Sequence, residues 1–267
     1  MKLTFSKYVA TGNDFVVADN REGNFDASDK KFWEKVCAAK WGVGADGVLL
    51  IEKSQKANCD FKMRYLNADG GEVSMCGNGA RAITAFYHHE CAGGKNQYTF
   101  ETKNGVYTCS LDPLWGYRLQ MTELYDVDKI AIGNLLPSNH HMYLNTGVPH
   151  CVFEVKNIDQ FPVFEEGKKI RYSTLFSEGA NANFFERVGD KTLKVRTYER
   201  GVENETLACG TGATAVAIAA SKFYGITEGI EILVPGGKLL IKFNHDYSHI
   251  ELCGKAEKIF TGVWCAV

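Results

Sequence analysis

Apolar and polar residues alternate through residues 3–9, the two-residue period of a half-buried strand, and Asp14–Asp19 make another strand. Lys62–Asn67 reads as a third strand and runs into a Gly-rich loop. From Cys76 to His88 the spacing changes: Ala80, Ile83, Ala85 and Phe86 form an apolar stripe at helical intervals. Gln97–Thr102 and Val106–Leu111 flank a turn at Lys103-Asn104-Gly105, which predicts a hairpin. The plan then recurs. Lys194–Glu199 predicts a strand and Gly212–Phe223 an Ala-rich helix. Gly229–Val234 and Lys238–Phe243 flank Pro235-Gly236-Gly237 as a second hairpin.

The recurrence is an internal repeat. Residues 62–82 and 194–215 both carry Lys-x-Arg, a polar loop, then Glu-x-x-x-Cys-Gly-x-Gly-Ala-x-Ala. The two cysteines, Cys76 and Cys209, lie 209 − 76 = 133 residues apart in a chain of 267. Thr11-Gly12 matches Thr146-Gly147 at nearly the same offset. A period of this size is a duplicated domain, too long for a solenoid repeat. The expected fold is α+β: two pseudo-symmetric domains, each a curved, mostly antiparallel, barrel-like sheet around a central helix. The expected boundary is near Pro113–Gly116. Residues 1–114 would form the N-terminal domain, completed by 253–267 and carrying Cys76; residues 115–252 would form the domain carrying Cys209.

Composition narrows the function. Thirty basic against 32 acidic residues give a net charge of −2, so no nucleic-acid partner is expected, since phosphate affinity needs clustered Lys and Arg. No stretch approaches the ~20 apolar residues of a membrane span, and the N-terminal run lacks the apolar core of a signal peptide. A cytoplasmic protein without membrane partners is expected. The nine cysteines are widely spaced, with no CxxC pair, which argues against a zinc ribbon or a thioredoxin-like site. No HExxH spacing, no GxxxxGK and no GxGxxG behind a clean strand is present, so no metal is expected and nucleotide binding is disfavoured.

Cys76 and Cys209 stand apart from the other seven because each opens a helix behind a polar loop. The first N–H groups of a helix lack internal partners and attract anions, and the helix dipole favours a thiolate there. Gly77, Gly79, Gly210 and Gly212 allow close approach to that backbone. If the halves fold as a pseudo-twofold pair, two activated thiols would face each other across a small anionic ligand. Inverting a carbon centre needs one base on each face, and amino-acid racemisation meets that description. A non-catalytic redox or ligand-binding role for facing thiols is the alternative from another class.

The sequence also resembles the diaminopimelate epimerase family. The matching segments are GNDFVV (12–17), GVGADG (42–47), NADGGEVSMCGNGARA (67–82), NTGVPHC (145–151), YERG (198–201), ETLACGTGA (205–213) and PGG (235–237), in order along nearly the whole chain. The resemblance implies a cofactor-independent enzyme interconverting LL- and meso-diaminopimelate, acting as a homodimer on a small amino-acid substrate. It implies Cys209 as proton acceptor and Cys76 as donor from LL to meso, supported by His150 and Glu199. Asn13, Asn67, Gly77, Asn78, Asn181, Glu199, Arg200, Gly210 and Thr211 would contact substrate, with Arg200 on the distal carboxylate and Asn13, Asn67 and Asn181 at that remote end. Phe260 matches an aromatic residue often found in the family's dimer contact. Three departures stand out: Val148 where many members have Asn, Gly47 where some have Gln, and one extra residue in Glu203–Thr206. A racemase of histidine, proline or hydroxyproline on the same fold is therefore the second enzyme reading.

Overall fold

Met1–Leu119 together with Gly254–Val267 make one unit, and Gln120–Cys253 makes the other. The structure, a computed structural model, describes residues 2–91, 94–122 and 124–265.

In the first unit, β1 (Lys2–Ala10) turns through Thr11-Gly12 into β2 (Asn13–Asp19). There follow α1 (Lys30–Cys37), β3 (Gly47–Glu52), β4 (Phe61–Asn67), the short β5 (Glu72–Val73), α2 (Gly77–Phe86), β6 (Gln97–Thr102), β7 (Gly105–Asp112) and β8 (Gly116–Gln120). The second unit contains β9 (His141–Asn145), β10 (Pro149–Glu154), α3 (Val163–Arg171), β11 (Asn181–Arg187), β12 (Thr192–Glu199), the short β13 (Asn204–Thr206), α4 (Gly210–Tyr224), β14 (Ile230–Val234), β15 (Gly237–Phe243) and β16 (Ile250–Gly254). The last strand, β17 (Glu257–Cys265), returns to the first unit and pairs antiparallel with β1.

The strand ladders repeat. In the first unit β2 pairs parallel with β3, β3 antiparallel with β4, and β4 parallel with β6. In the second, β10, β11, β12 and β14 make the same sequence of pairings. The register repeats too: Phe15 lies opposite Gly47 where His150 lies opposite Asn181, and Leu49 opposite Tyr65 where Asn183 lies opposite Thr197. Most remaining pairs are antiparallel, as the α+β expectation requires.

Each sheet wraps a helix. All ten residues of α2 are buried, and α2 touches β1, β2, β3, β4, β7 and β17. Helix α4 is buried along most of its length and touches β9, β10, β11, β12, β14 and β15. A helix surrounded in this way carries small or apolar residues on every face, and α4 accordingly has five Ala, two Gly, Val and Ile among its 15 residues. On the other side of each sheet lies a second core. Leu3, Val16, Val48 and Leu66 pack with Trp33 and Val36 of α1; Phe153, Ala182 and Phe184 pack with Val163 and Ile170 of α3.

Two local expectations need correction. The helix predicted to reach His88 ends at Phe86, and Tyr87–Cys91 continue as one π turn. The wider turn lets its side chains reach fixed partners: His88 Nδ1 meets Tyr98 Oη at 2.8 Å, His89 Nε2 meets Tyr117 Oη at 3.2 Å, and Glu90 accepts from Ser6 and Tyr8. Both histidines of this turn are thus hydrogen-bonded, and His140 likewise meets Glu154 at 2.5 Å. The second helix begins at Gly210, two residues before its expected start, because Cys209 caps it. No helix among the described residues is long and apolar enough to cross a membrane.

Candidate active site

In both units a cysteine is the N-cap. Cys76 has extended backbone (φ −139, ψ 123), and its sulfur accepts the Gly79 N–H at 3.5 Å. Cys209 repeats this (φ −117, ψ 110), accepting the Gly212 N–H at 3.4 Å. An N-cap side chain satisfies one of the orphan N–H groups of the first turn, normally through an oxygen. Here sulfur does so, which holds each thiol at the positive end of a helix.

The glycines of the two motifs have a packing cause. A Cβ at Gly212 would stand 2.3 Å from Asn183 Oδ1 and 3.3 Å from the Cys209 sulfur. At Gly79 it would meet Leu49 Cδ2 at 3.1 Å. The start of each helix is pressed onto the neighbouring strand, so the thiol is positioned by the sheet and not by a loop.

Around Cys76 the structure gathers Asn13 and Asn78. The Cys76 sulfur lies 3.7 Å from Asn13 Oδ1, and Asn78 Nδ2 lies 3.5 Å from the same oxygen. Asn13 is thus beside the thiol, although it had been expected at the remote end. Gly77 and Asn78 are buried in the first turn of α2. Asn67 closes β4, where its backbone bonds Gly71 and Gly70.

Around Cys209 the structure gathers Thr211 and Glu199. Thr211 Oγ1 is 3.4 Å from the sulfur. The Glu199 carboxylate accepts Thr206 Oγ1 at 3.0 Å and a hydrogen bond from Cys209. Burial raises the Glu199 carboxyl above its ordinary range, with those two bonds pulling the other way. Gly210 is the buried first residue of α4. Asn181 is committed at both ends: its Nδ2 donates to Pro149 O at 3.0 Å and its Oδ1 accepts the Arg200 N–H at 2.8 Å. It braces the backbone that carries Arg200, whose guanidinium reaches the Glu178 and Gly179 carbonyls.

His150 is fully buried. Asn183 Nδ2 donates to its Nδ1 at 3.0 Å, so Nδ1 accepts and the ring proton sits on Nε2. Asn183 also donates to Cys151 O and accepts Thr197 Oγ1, both at 3.0 Å. Nε2 is buried without a hydrogen-bond partner among the described residues, leaving a neutral imidazole with one N–H to offer. Burial, then the Arg200 charge, pushes His150 down to about 3 from 6.5. Between those values the unfolded chain binds a proton that the native imidazole refuses. Stability from this site is therefore complete above pH 6.5 and is lost as pH falls towards 3. The loss is expected to approach about 1.4 kcal/mol per pH unit. Thermal melts from pH 7 to 4 should show that slope, and His150→Asn should flatten it.

Sequence reasoning passed over Asn183, Thr197, Asp46 and Arg81. A signal existed for the first two: Asn181/Asn183 lie at alternate positions of a strand buried through Phe185, and Thr197/Glu199 at alternate positions of its antiparallel neighbour. Arg81 is a charged residue inside a helix buried on every face.

The diaminopimelate epimerase family model matches residues 5–115 and 142–259. A diaminopimelate epimerase of Flavobacterium psychrophilum is 42% identical over 260 residues, covering 95% of this chain and 97% of its own length. The chain belongs to the diaminopimelate epimerase family. It is thereby an isomerase, of the amino-acid epimerase class. A second family member, from Aquifex aeolicus, is 38% identical, with 97% of each chain covered. Among solved structures, a Bacillus anthracis protein of the PhzF phenazine-biosynthesis family superposes with a TM-score of 0.77 at 16% identity over all of both chains. A probable proline racemase from Agrobacterium radiobacter gives 0.71 at 15% identity, covering 97% of this chain and 92% of the other. At such identities the likeness is one of fold. Within the epimerase family, the doubled Cys-capped helix therefore belongs to a two-unit architecture wider than the family.

Proposed function

We propose that this epimerase interconverts LL- and meso-diaminopimelate without a cofactor, through Cys76 and Cys209. From LL to meso, the Cys209 thiolate takes the α-proton, the electron pair of the Cα–H bond passes towards the α-carboxylate, and Cys76 delivers its thiol proton to the opposite face. Cys209 ends as thiol and Cys76 as thiolate; the reverse reaction exchanges the roles. The backbone N–H groups at Gly77-Asn78 and Gly210-Thr211 are suited to hold the α-carboxylate and the charge that develops on it. Glu199 accepts the Cys209 proton in the resting enzyme, and the His150 Nε2–H supplies a neutral donor to the reacting end. Arg200, its backbone fixed by Asn181, pairs with the distal carboxylate, while Asn67 adds a polar contact to the distal amino-acid group. The enzyme acts in the cytoplasm, where its free thiols stay reduced. It acts as a homodimer, to which the exposed apolar Ile259, Phe260 and Val263 on β17 lend support.

The observation that carries this reading is the pair of helices capped by cysteine sulfur, one in each unit. Incubation in D₂O tests it: LL-diaminopimelate should gain α-deuterium and yield the meso isomer, while proline, histidine and glutamate stay unlabelled. Preferential labelling of one of those three would move the substrate away from diaminopimelate, and Val148 would then be the first residue to examine. Arg200→Met should raise KM by about 30-fold with a smaller change in kcat, as loss of a charge-assisted pair predicts.

A further inference from the structure

Asp46 lies in the loop before β3 and was passed over as a functional residue. Its carboxylate accepts Asn13 Nδ2 at 2.6 Å and the Asp14 N–H at 3.1 Å. The Asp46 N–H returns a bond to Asp14 Oδ1 at 2.9 Å. Asp14 in turn pairs with the buried Lys7 at 2.7 Å, and Lys7 also donates to Gly44 O. Both bonds reach the same carboxylate oxygen, and the reciprocal backbone bond ties the Asp46 loop to Asp14.

A carboxylate can only accept, so the Asn13 NH₂ must face Asp46 and the Asn13 oxygen must face away. That oxygen is the one 3.7 Å from the Cys76 sulfur. The opposite end of the network requires the same sense. Arg81 is fully buried and donates from Nη2 to Asn78 Oδ1 at 2.6 Å and to Thr11 Oγ1 at 3.1 Å. A guanidinium can only donate, so the Asn78 oxygen faces Arg81 and its NH₂ faces Asn13. Thr11 is held in left-handed backbone at φ 53, a strained conformation for a β-branched residue, and its hydroxyl serves this guanidinium. Two amides between a fixed acceptor and a fixed donor have one consistent orientation.

We propose that Asp46 is a positioning residue for Cys76: by fixing the Asn13 amide it presents an oxygen, and not an NH₂, to the thiol. An oxygen accepts the S–H and opposes a thiolate, so Cys76 rests protonated, as the donor. Cys209 rests against Glu199 and the Thr211 hydroxyl, a different environment. This inference rests on the proposed reading of Cys76 as a reacting thiol.

The test needs no substrate. Iodoacetamide labelling of Cys76 is followed by peptide mass mapping across pH 5.5–10 in the full chain carrying Cys209→Ala. The charged groups joined to this network are Asp46, Asp14 and Lys7 on the strand side and Arg81 on the helix, and a double-substitution cycle cancels their common effect. Asp46→Asn lets the Asn13 amide turn its NH₂ to the sulfur. The pH midpoint of labelling should fall by about one unit, a roughly tenfold faster reaction below the midpoint. Asp46→Glu should leave it in place. Asn13→Ala alone, with the Asp46–Asp14 bonds kept, should lower it too, and adding Asp46→Asn should then shift it little further. The proposal is overturned by an unmoved midpoint in Asn13→Ala, or by an equal Asp46→Asn shift with and without Asn13, which would leave only the charge of Asp46. Either result leaves the epimerase reading intact, whereas a failed D₂O assay would remove the donor role and leave only the Asp46-dependent labelling midpoint of Cys76.

Discussion

Replacing either capping cysteine by alanine is expected to lower epimerisation by about 10³-fold or more, the loss of a general acid or base from the transition state. The diagnostic is what survives. With Cys209→Ala, Cys76 remains to meet the α-proton of the centre inverted to D, so meso-diaminopimelate should still exchange that proton with D₂O while keeping its configuration. With Cys76→Ala, the LL isomer should exchange without inverting. Deuterium content by mass spectrometry and isomer composition by chiral chromatography measure the two outcomes separately. Inversion persisting at the native rate in either variant would end the two-thiol mechanism. The folded state should survive both changes, because the sulfur supplies one cap bond, and a lost cap costs about 1 kcal/mol.

Asn183→Leu is expected to have the largest effect on stability. Leu49 occupies the matching register position in the first unit, so the backbone accepts leucine there. In the second unit the amide bonds His150 Nδ1, Cys151 O and Thr197 Oγ1. Leucine would leave buried polar groups unsatisfied, at about 1–3 kcal/mol each. A total near 4 kcal/mol corresponds to a melting temperature lower by about 10 °C in a chain of this size. The first unit also shows the remedy. Its trio is Phe15, Leu49 and Tyr65, with the two rings in edge contact at 5.9 Å. Copying all three as His150→Phe, Asn183→Leu and Thr197→Tyr removes two of the three stranded groups, leaving only Cys151 O without the amide, and should recover at least half of the lost stability without restoring activity. Calorimetry of the single and triple variants checks both statements. An unchanged melt in Asn183→Leu would mean that the network adds nothing net.

Much of this was legible before folding. The cysteine motifs, their helices and the flanking hairpins could be read because glycine spacing, strand alternation and helical stripes act locally. What could not be read acts across strands. Leu49 and Asn183 occupy one register position, but pairing at a distance decides that one lies opposite Tyr65 while the other lies opposite Thr197 and bonds His150. The depressed proton affinity of His150 comes from complete burial, which no window of sequence around Pro149 reveals. Asn13 was assigned to the remote end by family order alone; Asp46, 33 residues away, is what turns its oxygen to Cys76. Arg81 was hidden in plain view among alanines, since a charged residue in a helix is ordinarily on its solvated side.

The pairing of β1 with β17 sets a timetable for biosynthesis. Leu3 faces Trp264 and Phe5 faces Gly262 across that ladder, so strands about 260 residues apart in the chain must meet. The second unit is one continuous run, Gln120–Cys253, and can complete its sheet as soon as β16 clears the ribosome. The first unit, although its strands are synthesised earlier, has to wait for Glu257–Cys265 with one side of β1 open. The domain made first is finished last, and in that interval its unpaired strand edge is the one open to aggregation.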